Sequence, residues 1–588
     1  MKNLLTQELK RLLQEKALDI RIDSVRATTA SKSGHPTTCL SAADIIATLF
    51  FHEMRYDFKN PKAANNDRFI LSKGHAVPVV YAAYKALGVI TDQDLLSLRN
   101  IDSIFEGHPT PRFVYNEAAT GSLGQGLGIG VGMALNARHE KLDYHTYVMM
   151  GDGEISEGSI WEAADLAAHY KLDNLIGIVD CNRLGQTGSV AHDHDVQGYA
   201  NKFTAFGWRV HVIDGHDFDE IFAAFDAITH TKDTPTMIIA KTYKGYGLKS
   251  IQDKVGYHGK PFTQDELGGV IADLQEFFGL KWEPENNKPA KITYEKIQEN
   301  KQVITLDLTQ DKNTGLFDKN KKMATRKAYG YALAALGHAS KDVFALDADV
   351  KNSTYTEIFE KEFPERTIQC FIAEQNMVSV ATGLQARGKI AFAATFGAFL
   401  TRAHDQIRMA GIGRNALRLC GSHCGVSIGE DGPSQMALED ISMMRAIPDS
   451  IVLYPSDAVC AYKLTELMAN YHAGISFLRT TRAELPVIYD KNEDFVIGGC
   501  KVLKQSKQDK ACIVAAGITL YEALKAYEIL KAQDITVSVI DLYSVKPLDT
   551  QTLRLVAEAS GNKIITVEDH YPEGGIGEAV KSALANEA

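Results

Sequence analysis

The chain has 588 residues, of which 45% are hydrophobic and 23% are charged, and its formal net charge is −11. A chain of this length is longer than a domain with a single hydrophobic core, and it predicts about three or four domains. The composition is that of a globular protein. The acidic balance argues against nucleic acid as a partner. No apolar run reaches the ~18 residues that would span a membrane, and the charged N-terminus is unlike a signal peptide. Eight cysteines without regular spacing favour a reducing compartment.

The first part of the chain, to about residue 285, alternates strand-like and helix-like runs. Its N-terminal segment predicts an amphipathic helix. Residues 145–150 and 175–179 predict strands, and the run between them, 159–172, has apolar residues at helical spacing. Residues 238–240 predict the last main strand of this part. Residues 282–322 are polar and rich in Lys and Asn, which is typical of a linker that crosses the surface.

A second α/β part begins near residue 324 and ends near 486, with strands predicted at 344–347 and 390–393. A third part begins near residue 494. Its predicted strands, 511–515 and 536–540, flank a predicted helix over 520–532. This alternation of strands and helices predicts parallel sheets along the whole chain.

The most informative motif is Gly151-Asp152-Gly153, which is followed thirty positions after Asp152 by Asn182. Two predicted strands with one helix between them thus each lead to a side chain that carries oxygen. In open parallel sheets, ligands bind outside the carboxyl ends of the strands. A carboxylate, an amide oxygen and a backbone carbonyl suit a hard dication, and magnesium takes its other oxygens from water and phosphates. The spacing therefore predicts a magnesium-diphosphate site, although an aspartate between glycines is by itself also typical of a turn.

This spacing resembles the thiamine diphosphate signature, and five further motifs resemble transketolase in the right order along nearly the whole chain. They are Ser33-Gly34-His35-Pro36-Thr37, Leu71-Ser72-Lys73-Gly74-His75, Thr120-Gly121-Ser122-Leu123-Gly124-Gln125-Gly126, Ala373-Glu374-Gln375-Asn376-Met377 and Ser422-His423-Cys424-Gly425-Val426. Gln186 and Gln435 stand where other branches of the family carry His, which resembles the animal-type branch.

The resemblance implies an α/β fold of three consecutive domains with mostly parallel sheets flanked by helices, that is, the thiamine-diphosphate-binding fold plus a C-terminal α/β domain. The expected boundaries are a diphosphate and magnesium domain over 1–285, a linker over 286–322, a pyrimidine-binding domain over 323–490 and a C-terminal domain over 491–588. Because transketolases usually continue with further sheet and helix, the last domain is expected to be truncated.

The resemblance also implies the cofactors, thiamine diphosphate and Mg²⁺, for which Ca²⁺ or Mn²⁺ can substitute. Asp152, the Asn182 side chain and the Leu184 carbonyl would bind the metal. Glu374 would be the catalytic acid at the aminopyrimidine ring, and an apolar pocket would favour its protonated form. From local sequence alone, a glutamate at the start of a helix is more commonly a partner of the helix dipole. Phe399 would stack on the pyrimidine, and Phe396 is expected in the core. The implied cofactor contacts are Thr38, His75, Gly121, Ser122, Leu123, Gly153, Asn182, Gln186, Lys241, Glu374, Phe399 and Gln435.

Histidines and arginines form the implied substrate site. Histidine can hold a hydroxyl group or shuttle a proton near neutrality, whereas an isolated arginine is more often part of a surface ion pair. The resemblance assigns His35, His75 and His258 to hydroxyl contacts and proton transfer, His108 and His423 to the sugar chain, Asp431 to the configuration of a hydroxyl, and Arg326, Ser353 and Arg482 to phosphate. A zinc site at Cys420, His423 and Cys424 is disfavoured because no second ligand pair follows.

The function implied is that of a transketolase of the pentose phosphate pathway, a cytoplasmic homodimer with its active sites at the subunit interface. A two-carbon ketol unit would pass from xylulose 5-phosphate, through a dihydroxyethyl intermediate on the cofactor, to ribose 5-phosphate or erythrose 4-phosphate. Glu374 of one chain would serve the cofactor anchored by Asp152 of the other. The alternatives are a deoxyxylulose-phosphate synthase, which decarboxylates pyruvate, and a catalytically silent relative that acts as a scaffold.

Overall fold

The computed structural model describes residues 5–228, 230–284, 303–319 and 321–586. The chain forms two compact units, Met1–Glu299 and Asn300–Ala588. Most of the linker expected at 286–322 lies outside the described residues, because residues 286–302 and 320 are among those not described. The expected domain boundaries therefore stay predictions.

The first unit is an α/β structure around one five-stranded sheet. The strand order is β1-β2-β3-β5-β4, and each neighbouring pair is parallel, as predicted. Its strands are β1 (Arg68–Leu71), β2 (Thr146–Gly151), β3 (Leu175–Cys181), β4 (Arg209–Asp214) and β5 (Thr236–Lys241), and its helices are α1 (Gln7–Ala30), α2 (Pro36–Thr48), α3 (Val77–Ala86), α4 (Asp92–Leu96), α5 (Gly126–Glu140), α6 (Gly158–His169), α7 (Val196–Ala205), α8 (Phe218–Ile228) and α9 (Gln264–Phe278).

The register of this sheet brings three strand ends to one edge. Gly151 on β2 pairs with Asp180 on β3, and Asp180 pairs in turn with Ala240 on β5. The strands β2 and β3 are almost fully buried, which is typical of parallel strands covered by helices on both faces. The predicted strand, helix and strand around the Gly151–Gly153 motif are therefore confirmed, and Asp152 and Asn182 follow adjacent strands at the same edge.

The predicted amphipathic N-terminal helix is α1, and its exposed face is largely confined to its first half. The Thr6 hydroxyl caps α1 by accepting a hydrogen bond from the Leu9 amide at 3.1 Å. From Ala17 onward nearly every side chain is buried, because α1 packs against α2, α3 and α9. The buried face includes Arg21, whose two terminal nitrogens bind Asp44 of α2 at 2.8 and 2.6 Å.

The second unit contains a seven-stranded sheet, a four-stranded sheet and a two-stranded pair. Their strand orders are β17-β11-β12-β10-β9-β7-β8, β14-β16-β15-β18 and β13-β6. The strands are β6 (Lys322–Ala324), β7 (Val343–Asp347), β8 (Thr367–Gln369), β9 (Ile390–Phe396), β10 (Arg418–Ser422), β11 (Ile451–Leu453), β12 (Ser476–Arg479), β13 (Glu484–Pro486), β14 (Lys501–Lys504), β15 (Cys512–Ala515), β16 (Ser538–Asp541), β17 (Ser544–Lys546) and β18 (Ile564–Val567). The helices are α10 (Thr325–Ala339), α11 (Lys351–Thr354), α12 (Glu357–Glu362), α13 (Glu374–Ala386), α14 (His404–Ile412), α15 (Asp440–Arg445), α16 (Ala458–Asn470), α17 (Thr519–Lys531), α18 (Thr550–Ala559) and α19 (Ile576–Leu584).

Three strand pairings of this unit are antiparallel, so the prediction of parallel sheets throughout is wrong there. They are β17 with β11, β14 with β16 and β13 with β6. Each involves a strand at a sheet edge or in the two-stranded pair, and edges are where antiparallel strands commonly join a parallel sheet. β17 comes from the third predicted domain and completes the sheet of the second, so the two ranges share one sheet.

Each unit contains a cluster of buried apolar side chains. Among the described residues no helix combines the length and apolar character that crossing a bilayer requires.

The buried pair between Arg21 and Asp44 gives a stability prediction for the first unit. Both side chains are nearly inaccessible to water, so Asp44→Asn leaves the guanidinium buried without its counter-charge. We expect the free energy of unfolding to fall by about 3–5 kcal/mol, measured by urea denaturation.

The matched control is Glu15→Ala on the same helix, because the ion pair between Arg11 and Glu15 is exposed. It is expected to change the free energy of unfolding by less than about 1 kcal/mol. Equal effects of the two substitutions would contradict the structural role of the buried pair.

Candidate active site

The loops after β2 and β3 meet around the carboxylate of Asp152. This carboxylate is buried and accepts hydrogen bonds from the backbone amides of Gly153 at 2.7 Å and Arg183 at 2.5 Å. The amide oxygen of Asn182 accepts from the Leu184 backbone amide at 3.3 Å. Asp152, Asn182 and Leu184 are thus in one structural unit, as expected from the motif spacing.

These oxygens fit a cation. The Leu184 carbonyl accepts a hydrogen bond from the Lys244 ammonium at 2.6 Å, so it already faces a positive charge. Burial raises the pKa of Asp152 to about 6, with a further contribution from the charge of Asp180. A nearby dication would relieve this cost of ionisation. Within the described residues, no three His, Cys, Asp or Glu side chains cluster as a metal site. The oxygens here that fit a hard cation are those of the Asp152 carboxylate, the Asn182 amide and the Leu184 carbonyl.

Asp180 forms a buried support behind this loop. Its carboxylate pairs with Lys73, accepts from the Ser41 hydroxyl at 2.7 Å and accepts from the Asn182 amide nitrogen at 3.1 Å. Burial alone would raise the pKa of Asp180, but the charge and hydrogen bond of Lys73 outweigh it and lower the pKa. The amide group of Asn182 is therefore oriented by an ionised carboxylate.

Three histidines from different parts of the first unit form a triangle of rings. The ring centroids of His35, His75 and His258 lie 5.0–5.1 Å from one another. His35 precedes α2, His75 follows β1, and His258 lies in the loop between β5 and α9. Thr37 connects the first and third of these segments, because its hydroxyl donates to the Tyr257 carbonyl at 3.0 Å. The predicted histidine cluster is thereby assembled within one unit.

The imidazoles of this triangle are held neutral. Burial lowers the pKa of His35 to about 4 and that of His258 to about 3, with the positive charge of Lys244 contributing in both cases. Burial and the charge of Lys73 hold the pKa of His75 well below its usual value. Because the Lys244 ammonium lies 2.6 Å from His258 Nδ1, that nitrogen accepts and the proton of His258 is on Nε2.

His35 Nδ1 is buried and has no hydrogen-bond partner among the described residues. A buried polar atom without a partner is uncommon in proteins, so this nitrogen fits a ligand with a polar group. The triangle therefore presents neutral donors and acceptors for hydroxyl groups.

The turn of Gly121, Ser122 and Leu123 lies against the predicted substrate residue His108. Gly121 has φ +130°, and a Cβ at this position would come within 2.6 Å of His108 Cδ2. A side chain on Gly74 would in turn meet the backbone of Gly121 at 2.8 Å. The close approach of these segments requires glycine at both positions, and it places His108 and the Gly121 turn beside the segment that carries His75.

Lys244 replaces Lys241 as the lysine of this site. Lys241 is the last residue of β5 and pairs in the sheet with Cys181 and Asp214. Lys244 is buried, contacts both Leu184 and His258, and its pKa is lowered to about 8 by burial and by Lys73. The assignment to Lys241 is therefore corrected. The sequence carries both lysines three residues apart, and the end of the strand decides which one enters the site.

The other predicted contacts of the first unit have different degrees of exposure. Thr38 is buried in the first turn of α2, and Gly153 and Gln186 are exposed in the loops after β2 and β3. Arg99 was not predicted. Its side chain lies against Gly107, and its charge contributes to the lowered pKa values of His35 and His108.

In the second unit, Glu374 is the first residue of α13 and is buried. The preceding strand ends at Gln369, and Phe371, with φ +56°, turns the chain before the helix begins. Ile372 in this turn is 77% exposed. A buried carboxylate at a helix N-terminus is thus joined to an exposed apolar turn.

Phe396, Phe399 and His423 form one aromatic stack. The rings of Phe396 and Phe399 are 4.9 Å apart with an interplanar angle of 2°, and His423 lies 3.9 Å from Phe396 at 13°. The expectation that Phe396 belongs to the core is wrong, because it is half-buried in the middle of this stack. Gly397 permits the arrangement, since a Cβ there would clash with Cys424 Sγ. Phe399 is also half-buried, and its contact with the pyrimidine ring stays a prediction.

The predicted phosphate residues also converge in the second unit. Arg326 donates to the Ser353 carbonyl at 2.5 Å, and Arg482 donates to the Ile428 carbonyl at 3.1 Å. Burial and the charges of both arginines lower the pKa of His423 to about 3. Two guanidinium groups thus lie close to one neutral imidazole, a combination suited to an anionic group with a neighbouring hydroxyl.

Asp431 and Gln435 lie at the ends of two short 3₁₀ turns, Val426–Asp431 and Pro433–Gln435. Asp431 is exposed and lies 3.4 Å from Arg482 Nη1, and Gln435 is half-buried. Asp431 is therefore beside Arg482, one of the residues predicted to bind phosphate, and Gln435 follows it on the same segment.

The histidine triangle gives a prediction about pH. An unfolded chain protonates these histidines near pH 6.5, whereas the folded chain does so only near pH 3–4. The unfolded state therefore binds more protons across this window, and stability falls as the pH falls through it. When the pH is lowered from 6.5 to 4, we expect the melting temperature of the double variant His35→Asn/His258→Asn to decrease less than that of the parent chain.

The matched control is His230→Asn, which changes an exposed histidine outside the triangle and is expected to keep the parent's pH slope. Melting temperatures of cofactor-free protein measure all three slopes. Identical slopes for the double variant and the parent would contradict neutral burial of the triangle.

Comparison with known families covers nearly the whole chain. Residues 13–333 match the family described as "Transketolase, thiamine diphosphate binding domain", residues 321–487 match "Transketolase, pyrimidine binding domain", and residues 500–588 match "Transketolase, C-terminal domain".

Individual relatives agree with these matches. The chain is 49% identical to transketolase-like protein 2 of Mus musculus and 48% identical to transketolase of Homo sapiens, in each case over 99% of this chain and 92% of the relative. Among solved structures, transketolase from Campylobacter jejuni matches with a TM-score of 0.84 and 25% identity, over 98% of this chain and all of that one. Transketolase from Leishmania mexicana gives the same TM-score and identity over 96% of this chain and 91% of that one. The chain belongs to the transketolase family of enzymes.

Proposed function

We propose that this chain transfers a two-carbon ketol unit from xylulose 5-phosphate to ribose 5-phosphate or erythrose 4-phosphate in the pentose phosphate pathway. The observation that carries the proposal is the triangle of neutral imidazoles beside Lys244 and the Asp152 loop. A donor with several hydroxyl groups needs several uncharged hydrogen-bonding groups close together, and the triangle supplies them.

The proposed cofactors are thiamine diphosphate and Mg²⁺, with Ca²⁺ or Mn²⁺ as substitutes. Asp152, the Asn182 amide oxygen and the Leu184 carbonyl would hold the metal, and Lys244 would then bind the diphosphate. When bound, thiamine diphosphate supplies the nucleophilic carbon that attacks the ketose carbonyl. Two observations support these cofactors. Residues 13–333 match a family described as a thiamine diphosphate binding domain, and the carboxylate, amide and carbonyl oxygens described above favour a hard dication.

Glu374 is the proposed acid at the aminopyrimidine ring. Its carboxyl group would hold a proton at the ring nitrogen, and its burial at the start of α13 keeps water from competing for that contact. Phe399 would pack on the ring through the exposed side of the aromatic stack. Thr38, His75, the Gly121–Leu123 turn, Gly153, Gln186 and Gln435 are the further proposed cofactor contacts.

The histidines would orient the donor and move its protons. His258 carries its proton on Nε2, so Nε2 would donate a hydrogen bond to an oxygen of the ketose substrate. His35 Nδ1 would be able to accept or donate a hydrogen bond once a ligand is present. Neutral imidazoles with low pKa values accept a proton only transiently, which suits a shuttle around an alkoxide better than a permanent cation. His75 and His108 would complete the hydroxyl contacts.

The phosphate end of the substrate would bind in the second unit. Arg326 and Arg482 would bind the phosphate oxygens, since a guanidinium offers paired donors of the right geometry. Ser353 and His423 would add neutral donors, and Asp431 would read the configuration of a hydroxyl group near Arg482. The positive charges of these arginines would thus attract the phosphate, although the chain as a whole has a net charge of −11.

We further propose a cytoplasmic homodimer in which Glu374 of one chain serves the cofactor held by Asp152 of another. The exposure of Phe371 and Ile372, 42% and 77%, beside the buried Glu374 supports this assembly, because large exposed apolar groups next to a functional residue favour a protein interface. The eight cysteines are free thiols, which supports a reducing compartment.

A coupled assay tests the proposed reaction. With thiamine diphosphate, Mg²⁺, xylulose 5-phosphate and ribose 5-phosphate, we expect formation of glyceraldehyde 3-phosphate. Glu374→Gln is expected to reduce the rate by about 10²- to 10⁴-fold, the usual contribution of a positioned acid or base. Quenching of tryptophan fluorescence in the same preparation measures cofactor binding.

The matched control is Glu365→Gln, an exposed glutamate of the same unit, which is expected to keep the parent rate. Full activity of Glu374→Gln would contradict the role of this residue. Saturable cofactor binding without product would contradict ketol transfer, and consumption of pyruvate would then indicate a deoxyxylulose-phosphate synthase. If the parent chain neither bound the cofactor nor formed product, it would be a catalytically silent relative that acts as a scaffold.

A further inference from the structure

A buried ionic network joins the C-terminal part of the second unit to the segment that carries His423. Arg479, at the end of β12, donates to Asp440 at 2.8 and 3.1 Å and to Asp569 at 2.8 Å. Arg479 and Asp440 are fully buried, and Asp569 is 6% exposed. Two buried carboxylates thus share one guanidinium, an arrangement that depends on accurate geometry because each desolvated charge needs its partner.

Asp569 follows β18 and makes more contacts than this ion pair. The Tyr454 hydroxyl donates to its carboxylate at 3.0 Å, and the Tyr454 ring lies 4.4 Å from the Arg479 guanidinium. The backbone carbonyl of Asp569 also accepts from Arg479 at 3.0 Å. Asp569 is therefore held by two buried side chains, Tyr454 and Arg479, through its carboxylate and its backbone carbonyl.

The same carboxylate lies directly against the turn after His423. A Cβ on Gly425 would overlap the Asp569 carboxylate, and Gly425 has φ +81°. His423 is two residues earlier, is 4% exposed and has φ +59°. A left-handed conformation at a non-glycine residue has to be stabilised by its surroundings, and the Asp569 carboxylate is part of those surroundings.

Neighbouring backbone contacts extend this attachment. Tyr571 donates its backbone amide to the Leu438 carbonyl at 2.8 Å, and Arg445 donates to the Gly575 carbonyl at 3.2 Å. Arg479 donates to the Ala437 carbonyl at 3.2 Å. Residues after β18 thus contact both flanks of the segment that carries Asp431 and Gln435. Tyr571 and Gly575 contact Leu438 and Arg445 after this segment, and Asp569 contacts Gly425 before it.

We propose that Asp569 is a positioning residue for the substrate site. Through Gly425 and Arg479 it fixes the turn that places the His423 imidazole on Phe396 and beside Arg326 and Arg482. This inference rests on the proposed function, in which His423 contacts the donor sugar. It assigns the C-terminal part of the chain a task in substrate binding, although none of its residues is expected to touch the substrate.

The test uses Asp569→Asn, which keeps the shape of the side chain and removes its charge. We expect the KM for xylulose 5-phosphate to rise about tenfold, which corresponds to ~1.4 kcal/mol, while the half-saturating concentration of thiamine diphosphate changes by less than about twofold. The matched control is Asp534→Asn, an exposed aspartate in the loop after α17, which is expected to leave both constants unchanged.

A double-mutant cycle with His423→Ala separates positioning from general destabilisation. If Asp569 acts through His423, Asp569→Asn adds less than about a twofold change in KM to the His423→Ala variant. A full additional tenfold change would overturn the proposal, because the two residues would then act independently. An unchanged KM with a lowered melting temperature would also overturn it and leave Asp569 with a structural role.

Tyr454→Phe keeps the test decisive if Asp569→Asn does not fold. It removes one hydrogen bond to Asp569 and is expected to raise the same KM by about threefold, again without effect in the His423→Ala background. Hydrogen exchange of residues 421–431 in cofactor-free protein gives a readout that does not need the reaction. Faster exchange in Asp569→Asn than in Asp534→Asn supports positioning even if ketol transfer fails, and equal exchange contradicts it.

Discussion

Parallel strands that lie side by side end at the same edge of their sheet, and the candidate site of the first unit depends on this constraint. The register that pairs Gly151 with Asp180 and Asp180 with Ala240 brings the loops after β2, β3 and β5 together. Asp152, Asn182 and Lys244 are contributed by these three loops. A shift of one residue in either pairing would turn the buried side chains of the strand to the opposite face, so core packing and site geometry are fixed by the same register.

Burial then determines the chemistry of the side chains that this edge collects. A buried group avoids the charged form unless an opposite charge is close, and the two units apply this rule in different ways. In the first, Asp180 stays ionised beside Lys73, whereas the histidine triangle stays neutral beside Lys244. In the second unit, burial, with a further contribution from the charges of two arginines, lowers the pKa of His423 and keeps its imidazole neutral. Both halves of the proposed site thus combine fixed charges, which suit phosphate groups, with neutral imidazoles, which suit hydroxyl groups.

The sequence predicted the parts of the fold that have a strong local period. The strand, helix and strand around Asp152 were predicted within three residues of their observed ends, because long buried runs show their periodicity clearly. Strands β6, β13 and β17 have three residues each, too few to show a period, and the antiparallel pairings they make were missed. The family comparison confirms the resemblance to transketolase, whereas the roles that the resemblance assigns to individual site residues stay predictions.

Tertiary contacts determine what the sequence left undecided. Lys241 and Lys244 have the same chemistry three positions apart, and the end of β5 determines which one reaches Leu184 and His258. Phe396 was expected in the core because that is the common position of a phenylalanine, but the turn at Gly397 places it between Phe399 and His423. The network around Arg479 joins residues 90 positions apart, and a pair so far apart in the sequence cannot be predicted from a local pattern.

The central claim is that residues of two chains complete each active site, and subunit complementation tests it most directly. Asp152→Asn and Glu374→Gln chains with different tags are co-expressed, and the ketol-transfer rate of the mixture is measured. If the sites are shared between chains, each mixed dimer has one site with both residues intact, and random pairing restores about a quarter of the parent rate. If each chain supplied both residues to its own site, every site would carry one substitution, and the mixture would be as inactive as the separate variants.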